Sequence, residues 1–116
     1  MSLKKVTAIF NGLQLDIVEK ALVSHGVNGF TVEKVRGRGA YFNSYSRDPL
    51  TTHILLTTYT RTKYARAIAQ LIIDAAHVNT DNEGLVSISP IDEAYWINTK
   101  QCCDENQFYF YEMKSD

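Results

Sequence analysis

Two cysteines are all that this chain of 116 residues carries, and they are adjacent, Cys102 and Cys103. No disulfide framework can be drawn from such a pair, because neighbouring cysteines close only a strained ring. Charge of one sign is missing too. Twelve Lys and Arg stand against thirteen Asp and Glu, a net charge of −1, so no overall basic field points to nucleic acid. No apolar run approaches the roughly 18 residues of a membrane-spanning helix, and no signal-peptide pattern is visible. The expectation is a cytoplasmic protein. His25, His53 and His77 lie far apart and never at the i, i+4 spacing of helical metal ligands, so no metal site is predicted. Nothing resembling a Ser-His-Asp, Cys-His, paired-carboxylate or P-loop arrangement occurs, which argues against an enzyme. The length allows one core and not two.

What is present reads as alternating strands and helices. Lys4 to Phe10 alternate, with Val6, Ala8 and Phe10 on one face, as in a strand. Leu15, Val18 and Leu22 then recur at helical spacing, with Ile17 and Ala21 widening the stripe. Gly26 is placed to end that helix in the left-handed conformation. Phe30 to Arg36 is β-branched and aromatic enough for a second strand. A polar, Tyr-rich loop from about Arg38 to Leu50 leads to a third strand, Thr51 to Tyr59.

Thr60 or Thr62 is a candidate cap for a second helix, in which Tyr64, Ile68, Leu71, Ile72 and Ala75 share a face. After the turn-rich Asn79 to Gly84, Leu85 to Ile91 reads as a fourth strand, and Ala94 to Asn98 as its continuation. The order β-α-β-β-α-β predicts a ferredoxin-like α+β sandwich, two helices over one face of an antiparallel sheet. Domain organisation follows: one domain over 1–99 and a tail over 100–116. The aromatic alternation of "QFYFYEM" in that tail is compatible with an extra edge strand. The other sheet face, with Ile9, Val35, Ile54 or Leu55, and Val86 or Ile88 assigned to it by parity, is not uniformly polar. Self-association is the expectation for such a face.

The stretch "GVNGFTVEKVRGRG", Gly26 to Gly39, sets glycines on either side of a strand and ends in cations. Together with "LQLDIVEKAL", "AIAQLIIDAA", the glycine of "NEG" and "ISPIDEAYWINT", it resembles the nitrogen regulatory P-II family of signal-transduction proteins, over about Lys4 to Thr99. The resemblance implies a compact homotrimer that binds adenine nucleotides in clefts between subunits. It also implies control of a membrane transporter or metabolic enzyme through the long loop after the second strand, the T-loop, at about 38–50.

Carried residue by residue, the implied effector site comprises Thr31, near the base, Arg36 and Arg38, Gly37 and Gly39, the two glycines letting the backbone approach a ligand where a Cβ would collide, and Asn98. Asn82, Glu83 and Gly84 form either a lid or a plain turn into the fourth strand. Tyr41, Phe42, Tyr45 and Arg47 are the implied partner contacts of the T-loop, residue types favoured at binding hot spots.

The departures from the family pattern are equally specific. Leu85 stands where the family has a phosphate-reaching Lys, and Trp96 and Asn98 where it has two arginines. Ala40 and Tyr41 replace an Arg and a Gln, the latter a residue that helps hold a metal–2-oxoglutarate complex, and the T-loop is shorter by several residues. Charge-assisted contacts to phosphate are the strong ones, so their loss disfavours a triphosphate. A divergent P-II-like protein follows, with no tightly bound cofactor and with ADP or AMP ahead of ATP as effector, alone or with a small anion such as bicarbonate. Trp96 in place of a cation suggests an aromatic platform or interface plug, with buried packing the expected role for the only Trp. The rival reading is a ferredoxin-like trimer of the CutA-like type, binding metal or serving as a structural interaction module.

Overall fold

The computed structural model describes residues 2–35, 53–78 and 84–111. Six main elements follow one another: β1 (Leu3–Asn11), α1 (Leu15–Ser24), β2 (Thr31–Val35), β3 (His53–Arg61), α2 (Thr62–Ala76) and β4 (Gly84–Ile91). The sheet has the order β2-β3-β1-β4 with every pair antiparallel, the ferredoxin-like arrangement that the sequence predicts.

The registers decide which side chains meet. Val6, Ala8 and Phe10 pair with Thr58, Leu56 and Ile54 of β3, and with Ile88, Val86 and Gly84 of β4. Directly opposed residues share a face, so these line the side beneath the helices. Val18 and Leu22 of α1 and Ile68 and Ile72 of α2 close over them, all fully buried in one cluster with Val6, Ala8 and Leu56. Each such aliphatic contributes roughly 1.5–3 kcal/mol by leaving water. Parity therefore places Ile54, Val86 and Ile88 on the helix side, and leaves Ile9 and Leu55 on the opposite face.

Local sequence explains the helix ends, with one correction. Gly26 adopts φ +85°, the Gly26 N–H donates to the Val23 carbonyl (3.0 Å) and the Val27 N–H to the Leu22 carbonyl (2.9 Å). That pair of bonds ends α1 as a Schellman motif, sealed by buried Leu22 and Val27. The start of α2 differs from expectation. Neither Thr60 nor Thr62 caps it: Thr60 belongs to β3, Thr62 is already helical, and Arg61 holds the cap position without a side-chain bond. The Thr62 N–H is satisfied instead by the Ser2 carbonyl at 3.1 Å, so the residue just before β1 takes the role of a cap.

The segment after β4 also departs from the sequence reading. Residues 94–103 do not extend β4 but double back as a hairpin, with an isolated bridge between Tyr95 and Cys102. Residues 108–111 add no strand to the sheet. They run along the helix layer, where the Tyr111 N–H donates to the His25 carbonyl (2.7 Å) and Phe110 stacks on the His25 ring at 5.3 Å. The aromatic alternation thus serves side-chain packing, with Phe110 half-buried against the core and Tyr109 and Tyr111 exposed.

Candidate functional site

A cavity of about 520 Å³ opens beside β2 and β3. β3 runs to Arg61, whereas its pairing with β2 covers only His53 to Thr57, so Thr58 to Arg61 present a free strand edge on that side. The loop Gly26 to Phe30 forms one wall, and Trp96, Gln107 and Phe108 form another. Thr31, the base-contacting candidate, lies exposed on this cavity, level with Thr57 in the ladder.

Threonine hydroxyls dominate the polar lining. Thr58 is already committed, its hydroxyl donating to the Gly29 carbonyl at 2.7 Å. Thr60 is 1% exposed and its hydroxyl has no hydrogen-bond partner among the described residues. Buried polar atoms are nearly always paired, so an orphan beside a cavity marks a place for a water or a ligand atom. Opposite, Trp96 stacks on Phe108 (5.9 Å between centroids, 15° between planes). Its indole N–H donates to Gln107 Oε1 at 2.7 Å, and that same oxygen accepts the Asp104 N–H. Trp96 is therefore not the buried packing residue that its uniqueness suggests. It is 39% exposed and held as an aromatic wall. Among the described residues, no charged side chain lines this cavity.

Gly84 sits elsewhere. It opens β4, opposite Phe10, with φ +143°, and an added Cβ would fall on the Ile9 carbonyl oxygen, far inside van der Waals contact. Sheet geometry alone requires a glycine here. The register sets Thr31 level with Thr57, Thr7 and Ser87, on opposite edges of the sheet from β4. Three strand spacings separate those edges, roughly 14 Å. Within one copy, Thr31 and Gly84 do not share a cleft. The chain leaves β2 at Val35, which is level with His53 and Asn11, the end of the sheet at which β4 begins.

Asn98 lies in the exposed turn of the hairpin. Arg36, Gly37, Arg38, Gly39, Tyr41, Phe42, Tyr45, Arg47, Asn82 and Glu83 lie outside the described residues. Trp96, Gln107 and Phe108 were not among the sequence-derived site residues. The aromatic replacing a cation is the signal that points to Trp96 as a platform; Gln107 and Phe108 carry none.

Among the described residues, two titratable groups are shifted. Burial holds the His53 imidazole below its ordinary value, and burial, with the neighbouring Cys102, pushes the Cys103 thiol up. Cys103 is buried and Cys102 exposed, so the pair does not present a matched dithiol. Among the described residues, no three His, Cys, Asp or Glu side chains gather as metal ligands, and no helix is long and apolar enough to cross a membrane.

Comparison with known proteins gives one consistent result. The family model "Nitrogen regulatory protein P-II" matches residues 3–101. Nitrogen regulatory protein P-II of Microchaete diplosiphon and that of a Synechocystis strain are each 31% identical over 104 residues, covering 84% of this chain and 93% of theirs. The protein of the same name from Cereibacter sphaeroides is 27% identical over 108 residues. The crystal structure of Arabidopsis thaliana PII bound to citrate superposes with a TM-score of 0.74 at 20% identity, over 90% of this chain and 91% of that one, a likeness of fold. The chain belongs to the nitrogen regulatory protein P-II family of signal-transduction regulators.

Proposed function

We propose that this protein is a trimeric regulator that binds an adenine nucleotide, ADP or AMP ahead of ATP, between its subunits and passes the signal to a transporter or metabolic enzyme through its T-loop. The observation that carries this reading is the Thr31 cavity, with the orphan Thr60 hydroxyl and the Trp96–Phe108 aromatic wall. A purine needs stacking surface and a few hydrogen-bond partners, and both are offered there. The uncharged lining, among the described residues, supports a base in this cavity, and Arg36 and Arg38 are the proposed partners of the phosphates. Leu85, exposed at the start of β4 where the family pattern has a Lys, supports an effector with fewer phosphates than ATP. A small anion such as bicarbonate is the proposed co-ligand; the plant PII structure is described as citrate-bound, a precedent for a carboxylate in a protein of this fold.

The test is a thermal-shift panel on phosphate-free protein with ATP, ADP, AMP and cyclic nucleotides, each with and without magnesium, 2-oxoglutarate or bicarbonate. A ligand at a hundred times its Kd stabilises the native state by about 2.7 kcal/mol, a readily measured shift. ADP or AMP should produce it, and Gly37→Val should remove it while the trimer persists. A folded trimer indifferent to every nucleotide would refute the reading.

A further inference from the structure

The tail lies past residue 101, where the likeness to the family pattern ends, and it does more than pack on the helices. It begins in a capping box, in which Asp104 Oδ1 accepts the Asn106 N–H at 2.9 Å and Gln107 Oε1 accepts the Asp104 N–H at 2.8 Å. The same Gln107 oxygen takes the Trp96 indole N–H at 2.7 Å, its two lone pairs serving both donors. Phe108 then lies flat against Trp96. Phe110 and Tyr111 go on to the helix layer, where the Tyr111 N–H holds the His25 carbonyl and the Tyr111 ring sits over Gly26.

This path touches both walls of the Thr31 cavity. Gln107 and Phe108 stand with Trp96 on one side. On the other, Gly26, beneath the Tyr111 ring, opens the loop to Phe30. Trp96 is 39% exposed, so burial does not fix its plane; the Phe108 stack and the Gln107 bond do. An aromatic face serves a base best when its plane is held before the base arrives.

We propose that the tail 104–111 is part of the effector site, with Gln107 a positioning residue that fixes the Trp96 face for a planar heterocyclic base, so that base binding and tail docking strengthen each other. Gln107 acts through Trp96 and needs no contact with the ligand. Such coupling is reciprocal: whatever the docked tail adds to the affinity, the ligand returns to the docking of the tail. The inference rests on the nucleotide reading proposed above.

Trp96 is the only tryptophan, so its fluorescence reads the wall directly, and ADP or AMP should quench it in the wild-type protein. Gln107 is exposed, and Gln107→Leu should leave the circular dichroism unchanged. It should raise the Kd of either nucleotide roughly tenfold, about the worth of one base–aromatic stack. Gln107→Glu keeps an acceptor oxygen in place and should restore most of the affinity. In hydrogen exchange, either nucleotide should slow the Tyr111 amide, which is bonded to His25 and lies outside the cavity lining. Nucleotide binding that leaves Trp96 fluorescence unchanged, ignores Gln107→Leu, is not restored by Gln107→Glu or leaves the Tyr111 amide unprotected overturns the inference, while the nucleotide reading stands. A folded wild-type protein that binds neither nucleotide overturns both.

Discussion

Gly84 shows how one residue can look functional for a structural reason. It is the glycine of the "NEG" motif, and its place in a presumed lid invites a ligand-binding role. Its φ of +143° and the Ile9 carbonyl directly beneath its missing Cβ are enough to require glycine without any ligand. Gly84→Ala should therefore cost about 1–3 kcal/mol or more, the scale of a strained backbone position. Equilibrium urea unfolding in the absence of nucleotide would measure it. Unchanged stability would mean that the start of β4 can shift away from β1, and the residue would return to the ligand-binding candidates. Thr60 is the converse case. A threonine inside a strand carries no signal in sequence, and only the structure shows its hydroxyl buried, unpaired and beside a cavity.

Among the elements, the tail is the least expected. Phe110 lies between the rings of His25 (5.3 Å) and Tyr64 (5.7 Å), and so ties the end of α1 to the start of α2. The His25 ring nitrogen Nδ1 donates to the Tyr111 carbonyl at 2.5 Å, and the Tyr111 ring occupies the space above Gly26. Since Phe110 is half-buried, Phe110→Ala should destabilise by about 1–3 kcal/mol, below the 3–5 kcal/mol of a fully buried Phe. Thermal unfolding would show it, and a neutral result would mean that the tail's packing on His25 and Tyr64 adds nothing to stability. The four strands and both helices were legible in the sequence, because Val6, Ala8 and Phe10 alternate and Ile68 and Ile72 follow the helical period. Gly26 was legible as a cap for the same local reason. The tail was not. Alternating aromatics look the same whether a strand pairs them or a strap packs every second one, and the choice depends on His25 and Tyr64, which are distant in sequence. The cap of α2 was missed likewise, since its partner is Ser2, at the other end of the chain's first strand.

At the scale of the whole molecule, the sheet order separates what the sequence groups together. Thr31 lies on β2 and Gly84 on β4, the two outer strands, while β2 ends at Val35, at the end of the sheet where β4 starts. If the effector site takes Thr31 from one copy and Gly37 from the next, two defective chains should repair one another. Thr31→Arg would block the first half and Gly37→Val the second, and each trimer alone should bind no nucleotide. In randomly co-assembled trimers, a site is intact when the copy donating Thr31 carries only the Gly37 change and its neighbour carries only the Thr31 change. Each condition is met half the time, so about a quarter of the sites should recover. Equilibrium dialysis against labelled ADP or AMP, on co-expressed protein whose mixed composition is verified by native mass spectrometry, would count them. Binding near a quarter of wild-type capacity would place the effector between copies. No recovery in verified mixed trimers would confine the site to a single chain, and the separation of Thr31 from Gly84 would then exclude one of them from it.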